Sequence, residues 1–154
     1  MMTKRYILAV ALLVVGGMIY LCSRVETLLM FSWCEGLGVQ HEVQSMRHDV
    51  GGAFALCPDW VRFSLPNGLW VLAGLLLLDT IWGRRFQKDK VFWLAMFWFV
   101  AMGSEFGQGV GLVPGTFDWN DVAVMALATI VWVGIRQRSK EKGKRVQACS
   151  QVVR

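Results

Sequence analysis

Glu105, Gln108, Asp118 and Asp121 are the residues of this chain best placed to do chemistry. They lie in Ser104-Glu105-Phe106-Gly107-Gln108 and Phe117-Asp118-Trp119-Asn120-Asp121, and no Lys or Arg stands anywhere between residues 91 and 135. Carboxylates flanked by apolar helices can act as a general base, as proton or cation stations, or as acceptors for a polar ligand. An acid at membrane depth costs about 2.5–3.5 kcal/mol on insertion scales, so a partner or a task must account for it. Glu105 and Gln108 are three residues apart and share a helix face. Gly103, Gly107, Gly109 and Gly111 leave that region without bulky cover, open to a neighbouring helix or a ligand. Pro114-Gly115 makes a turn. Asp118 then falls where a helix N-cap belongs, and Asp118 and Asp121 both suit the positive end of the helix that follows. Arg62 is the nearest candidate cation for Glu105. A further acid, Asp79, ends its own apolar block close to Arg84 and Arg85, where it reads as pairing or snorkelling.

The elements that must position these groups are apolar blocks. The chain is 55% hydrophobic with a mean hydropathy of +0.46 and eight Trp, too apolar for an ordinary soluble domain of its length. Four blocks, about residues 6–22, 65–82, 91–110 and 120–135, reach or approach the roughly 17–25 residues that cross a bilayer. The fold class expected is an all-α membrane protein with four transmembrane helices. Its single domain covers residues 1–135, with an outer segment at 24–63 and a basic cytoplasmic tail at 136–154. Thirteen of the 16 Lys and Arg fall before the first block, between the second and third, or in the tail. By the positive-inside rule both termini are cytoplasmic. Trp82, Trp93 and Trp132 then lie near the inner surface, and Trp60, Trp70 and Trp119 near the outer one, as an interfacial belt requires. Lys4-Arg5 before an apolar run resembles a signal peptide, but the run is long and Ile19-Tyr20-Leu21-Cys22 lacks a small-residue cleavage site, which favours a retained anchor.

The outer segment is polar from Ser45 to Val50, with turn signals at Gly51-Gly52 and Cys57-Pro58-Asp59. Residues 25–33 either extend the first helix or lie in the interface. Cys34 and Cys57 both fall on the oxidising side, and a Cys34–Cys57 disulfide is a candidate staple. His41, Glu42, His48 and Asp49 lack a third ligand in a clear position, so no metal is expected, and nothing implies a cofactor. The tail Arg136–Arg145 has no aromatic platform for nucleic acid. It is a topology determinant attracted to anionic headgroups, so membrane lipids are the expected partners, together with another copy or another membrane protein.

Glu105-x-x-Gln108, the Pro114-Gly115 turn and Phe117-Asp118-x-x-Asp121 leading into a last apolar helix resemble the signature of the VanZ-like family. The resemblance covers about residues 104–128. It implies a small multi-pass protein of the bacterial inner membrane, from a family associated with low-level teicoplanin resistance. Thr116 stands where the family commonly carries an Arg, and Met125 and Ala128 where it carries an Asn and a Gly. The function expected is accessory and non-enzymatic, an outward polar pocket for lipid-linked or cell-wall material. The alternatives are a membrane-embedded lipid-modifying enzyme using Glu105 or Asp121, and a small oligomeric transporter or channel using Glu105 and Asp79 as stations. No Ser-His or Cys-His arrangement supports nucleophilic catalysis.

Overall fold

A computed structural model describes residues 2–24, 29–83 and 88–152, and every element among them is helical. In chain order they are α1 Met2–Ser23, α2 Leu29–Gly36, α3 Gln40–Ala55, α4 Asp59–Phe63, α5 Leu65–Ile81, α6 Lys88–Gly109 and α7 Trp119–Val152. Helix α5 is the centre, packed against α1, α6 and α7. It is apolar all round, as a helix buried on several sides must be. Pro66 sits in its first turn, where a missing N–H costs nothing. Gly83, at φ 65°, ends it, donating its N–H to the Thr80 carbonyl at 3.2 Å.

Close approach at small residues sets the packing. A Cβ on Gly68 would lie 2.3 Å from Val124 Cγ1, one on Gly74 2.2 Å from the Phe97 ring, and one on Gly16 2.7 Å from the Trp70 indole. These contacts lock α5 to α7, α6 and α1 respectively. Between them lies a core of Val71, Leu75, Leu94, Met102, Met125 and Ala128. Trp98 Nε1 donates to Thr129 Oγ1 at 3.1 Å and joins α6 to α7 at mid-height.

The bundle has two polar ends. At the basic end α1 and α6 begin and α5 finishes; at the acidic end α5 and α7 begin and α6 finishes. Helices α5 and α7 thus run parallel to each other and antiparallel to α1 and α6. The outside is apolar: Ile7, Val14, Phe99, Val100 and Ile130 are each more than half exposed.

Two helices, within Thr3–Ser23 and Trp119–Ser139, are long and apolar enough to cross a membrane by themselves. The expected four reduce to these two because α5 is apolar but has only 17 residues, while α6 is diluted by charge at one end and by Glu105 and Gln108 at the other. The last helix does not stop at residue 135 but continues to Val152. Its Arg, Gln, Lys and Glu are straight-chain helix formers and no Pro interrupts them.

Segment 29–63 also differs from a loop. Helix α3 runs unbroken through Gly51-Gly52, so those glycines are not a turn. Arg47 of α3 donates to the Leu21 carbonyl and stacks on Phe31 at 5.0 Å. The Cys34–Cys57 disulfide does not form: both thiols are free. The cause is α3 itself. Its 16 residues lie between Cys34, near the end of α2, and Cys57, past the end of α3; that rise is about 24 Å, against the roughly 7 Å limit for bridged Cα atoms. The question of whether residues 25–33 prolong α1 falls partly on 25–28, outside the described residues; Leu29–Gly36 is a helix of its own.

Candidate functional site

At the acidic end the last turn of α6 and the first turns of α5 and α7 meet. Glu105 is 4% exposed and Asp121 8%. Glu105 Oε1 accepts the Asp118 N–H at 2.9 Å, so the acid of α6 holds the entry to α7. Asp118 is the cap: its Oδ1 accepts the Asn120 N–H at 2.8 Å. Asp121 Oδ2 accepts from Asn67 Nδ2 of α5 at 2.8 Å, while its Oδ1 is buried with no hydrogen-bond partner. Ser64, fully buried three residues before Asn67, also leaves its hydroxyl unpartnered.

Gln108, one turn on from Glu105 in α6, is packed against the loop that follows. It lies under the turn, where a Cβ on Gly115 would come 2.6 Å from its Oε1, and Gly115 has a φ of 141° that side chains rarely adopt. The loop covers Gly107 and Gly109, while Gly103 and Gly111 have nothing within 4 Å of an added Cβ. Val113 fills the space at Gly107, and the Phe117 ring lies 3.3 Å from a Cβ on Gly109.

The counter-charge also differs from expectation. Arg62 pairs with Asp59 at 3.7 Å, and the cation within electrostatic range of Glu105 is Arg24, at the end of α1. Arg24 donates to the Phe63 carbonyl at 3.3 Å and packs over the Tyr20 and Phe63 rings at 5.2 and 5.3 Å. The positive charge that acts on Glu105 thus comes from another helix, α1. Arg24, Ser64 and Asn67 were not read as site residues. Asn67, a lone amide opening an apolar block, was the one legible signal among them.

No family model, curated protein or solved structure matches this chain. The site therefore rests on its own geometry.

A second polar centre surrounds Asp79. Asp79 is 5% exposed and is bound by three helices at once. Arg5 Nη1 of α1 donates to its Oδ2 at 2.8 Å. Lys90 Nζ of α6 lies 2.6 Å from its Oδ1, and Arg136 Nε of α7 stands 3.7 Å from the same oxygen. Arg84 and Arg85, the partners expected from chain proximity, lie outside the described residues. Lys90 is only 1% exposed. Its ammonium also donates to the Asp79 carbonyl at 3.3 Å and to the Gly83 carbonyl, so all three of its protons have acceptors at the negative end of α5. Arg5 donates further to the Ile135 carbonyl at 3.2 Å and to Ser139 Oγ.

The histidines carry no comparable structure. His48 stands 3.8 Å from Asp49 and both are exposed, and among the described residues no three His, Cys, Asp or Glu side chains gather as metal ligands.

One prediction separates structure from chemistry at Glu105. Glu105→Gln keeps an oxygen for the Asp118 N–H and relieves repulsion from Asp118 and Asp121, so it should change stability by less than about 1 kcal/mol. Glu105→Leu strands that N–H and should cost about 1–3 kcal/mol. Thermal melts of the purified variants read both, and the reverse order would refute the capping role.

Proposed function

We propose that the chain is a four-span protein of the bacterial inner membrane, VanZ-like, with both termini cytoplasmic. Its work is accessory and non-enzymatic: it holds the polar part of lipid-linked or cell-wall material at the outward, acidic end. The observation that carries the membrane reading is inverted polarity. Asp79, Lys90, Glu105 and Asp121 are buried inside the bundle while Phe99, Val100 and Ile130 point outward, the reverse of a protein folded in water. Only 11% of the α1 window and 17% of the α7 window is buried, far below what the core helix of a soluble domain would have. Helix α1 is also tied into the bundle at Arg5 and Gly16. Helices α5 and α6 join the spans because they share this packing.

The accessory reading is supported by what the carboxylates already do. One oxygen each of Glu105 and Asp121 is committed to a backbone N–H or an amide of the protein itself. Neither carboxylate is hydrogen-bonded to a nucleophile among the described residues.

Topology is tested with the native thiols. Single-cysteine versions should label with a membrane-impermeant maleimide in spheroplasts at Cys34 and Cys57 without prior reduction, and at Cys149 only after permeabilisation. Labelling of all three together in intact spheroplasts would overturn the topology. The site is tested by expressing the protein in a teicoplanin-sensitive bacterium. The wild type should shift susceptibility, and Asp121→Asn and Arg24→Gln should abolish the shift at equal expression; identical susceptibility of all strains would count against the reading.

A further inference from the structure

Among the described residues, the buried side-chain atoms at the acidic end that lack a hydrogen-bond partner are Arg24 Nε, Arg62 Nε, Ser64 Oγ and Asp121 Oδ1. The two guanidiniums are answered elsewhere: Arg24 donates to the Phe63 carbonyl, and Arg62 faces Asp59. The two oxygens have no such relief. Ser64 is fully buried and Asp121 nearly so, and they do not bond each other. The packing register sets them at one level. Helices α5 and α7 run parallel, with Asn67 Nδ2 bonded to Asp121 Oδ2 and Gly68 against Val124. Ser64 stands about one turn before Asn67, and its carbonyl accepts the Asn67 N–H at 3.1 Å. Its height along the bundle is therefore that of residues 118–121, where Glu105 Oε1 also takes the Asp118 N–H. Helix α4, which ends just before Ser64, touches α7 as well.

A buried carboxylate oxygen and a buried hydroxyl left unpaired are costly, and a species bound between them is the usual remedy. Water would meet the hydrogen-bonding need, but the charge of this layer favours a cation. Asp118 and Asp121 act on Glu105 as like charges, with Arg24 opposing them. We propose that Ser64 Oγ and Asp121 Oδ1 together hold a monovalent metal cation of the sodium type, which pins the start of α5 to the first turn of α7. Oxygen donors suit a hard cation. A calcium-type ion takes six to eight oxygens, whereas among the described residues no three acidic or His side chains gather as ligands. One free carboxylate oxygen matches a single charge. The cation goes beyond the accessory reading above and stands or falls without it.

The experiment is a thermal melt of the full chain in detergent, in sodium chloride or N-methyl-D-glucamine chloride at one ionic strength, so that screening is equal. Sodium at about tenfold over its dissociation constant should raise Tm by about 3–6 °C, and the rise should saturate. Asp121→Asn and Ser64→Ala should each lose that increment. Asp118→Asn, which removes the same charge from the neighbouring cap, should keep it. If Asp121→Asn does not fold, Ser64→Ala carries the test, because it removes one oxygen and no charge. Identical melting of the wild type in the two salts would overturn the cation in favour of bound water. An increment that Ser64→Ala retains, or that Asp118→Asn loses equally, would overturn the site. Saturation by micromolar magnesium or calcium in place of sodium would overturn the monovalent assignment. None of these outcomes bears on the susceptibility test, so the two readings fail separately.

Discussion

Asp79→Asn should be the most damaging conservative substitution in the chain. Among the described residues the carboxylate is bound by cations of α1, α6 and α7 at once, and its loss leaves the enclosed Lys90 beside two guanidiniums. Removing one partner of a buried ion pair typically costs about 3–5 kcal/mol. That is about a fifth or more of the roughly 5–15 kcal/mol by which domains are stable. Asp79→Asn is expected to lose monodisperse behaviour on fluorescence-detected size exclusion in detergent, or to melt at least about 6 °C lower by the usual conversion of about 2–4 °C or more per kcal/mol. Asp79→Glu, which keeps the charge, should retain much of the stability. An Asp79→Asn protein that melts like the wild type would show that the cations are neutralised elsewhere.

The second large effect lies where α5 meets α7. Gly→Ala in a helix ordinarily gains up to about 1 kcal/mol from propensity. At Gly68 the new Cβ would meet Val124 Cγ1 at 2.3 Å and the Val124 carbonyl oxygen at 3.1 Å. A β-branched side chain in a helix has essentially one χ1 rotamer and cannot swing aside, so α7 must move. Gly68→Ala should therefore lower stability by about 1–3 kcal/mol, the usual cost of overpacking. Adding Val124→Ala should restore part of it. Gly17, with nothing within 4 Å of an added Cβ, provides the control: Gly17→Ala should be neutral or stabilising. If both glycine substitutions behave alike, the interface is looser than described.

Much of the helical layout was legible because apolar blocks and breakers are local signals. Residues 65–82 and 91–110 became Leu65–Ile81 and Lys88–Gly109. The Asp118 cap was legible for the same reason, being written within a few residues. What sequence could not give was which helix faces which. Chain proximity points Asp79 to Arg84 and Arg85, which lie outside the described residues, and gives no hint of the partners that are described, 74, 11 and 57 positions away. Glu105 looked to Arg62, while Arg24 comes from α1, a helix with no sequence link to that loop. Gly51-Gly52 was read as a turn, since two glycines weaken a helix; the rest of α3 outweighs them, and the helix so formed holds Cys34 and Cys57 apart.

The dry layer between the two charged ends has one more consequence. From Asn67 to Asp79 along α5 is about 18 Å of rise, filled by Val71, Leu75, Leu94, Met102, Met125 and Ala128. A relay for protons needs donor–acceptor steps of about 3 Å. Among the described residues, the hydrogen bond from Trp98 to Thr129 passes on only to the Met125 carbonyl, and there it stops in backbone. Among the described residues, then, no chain of side-chain hydrogen bonds joins the Asn67–Asp121 end to the Asp79 end.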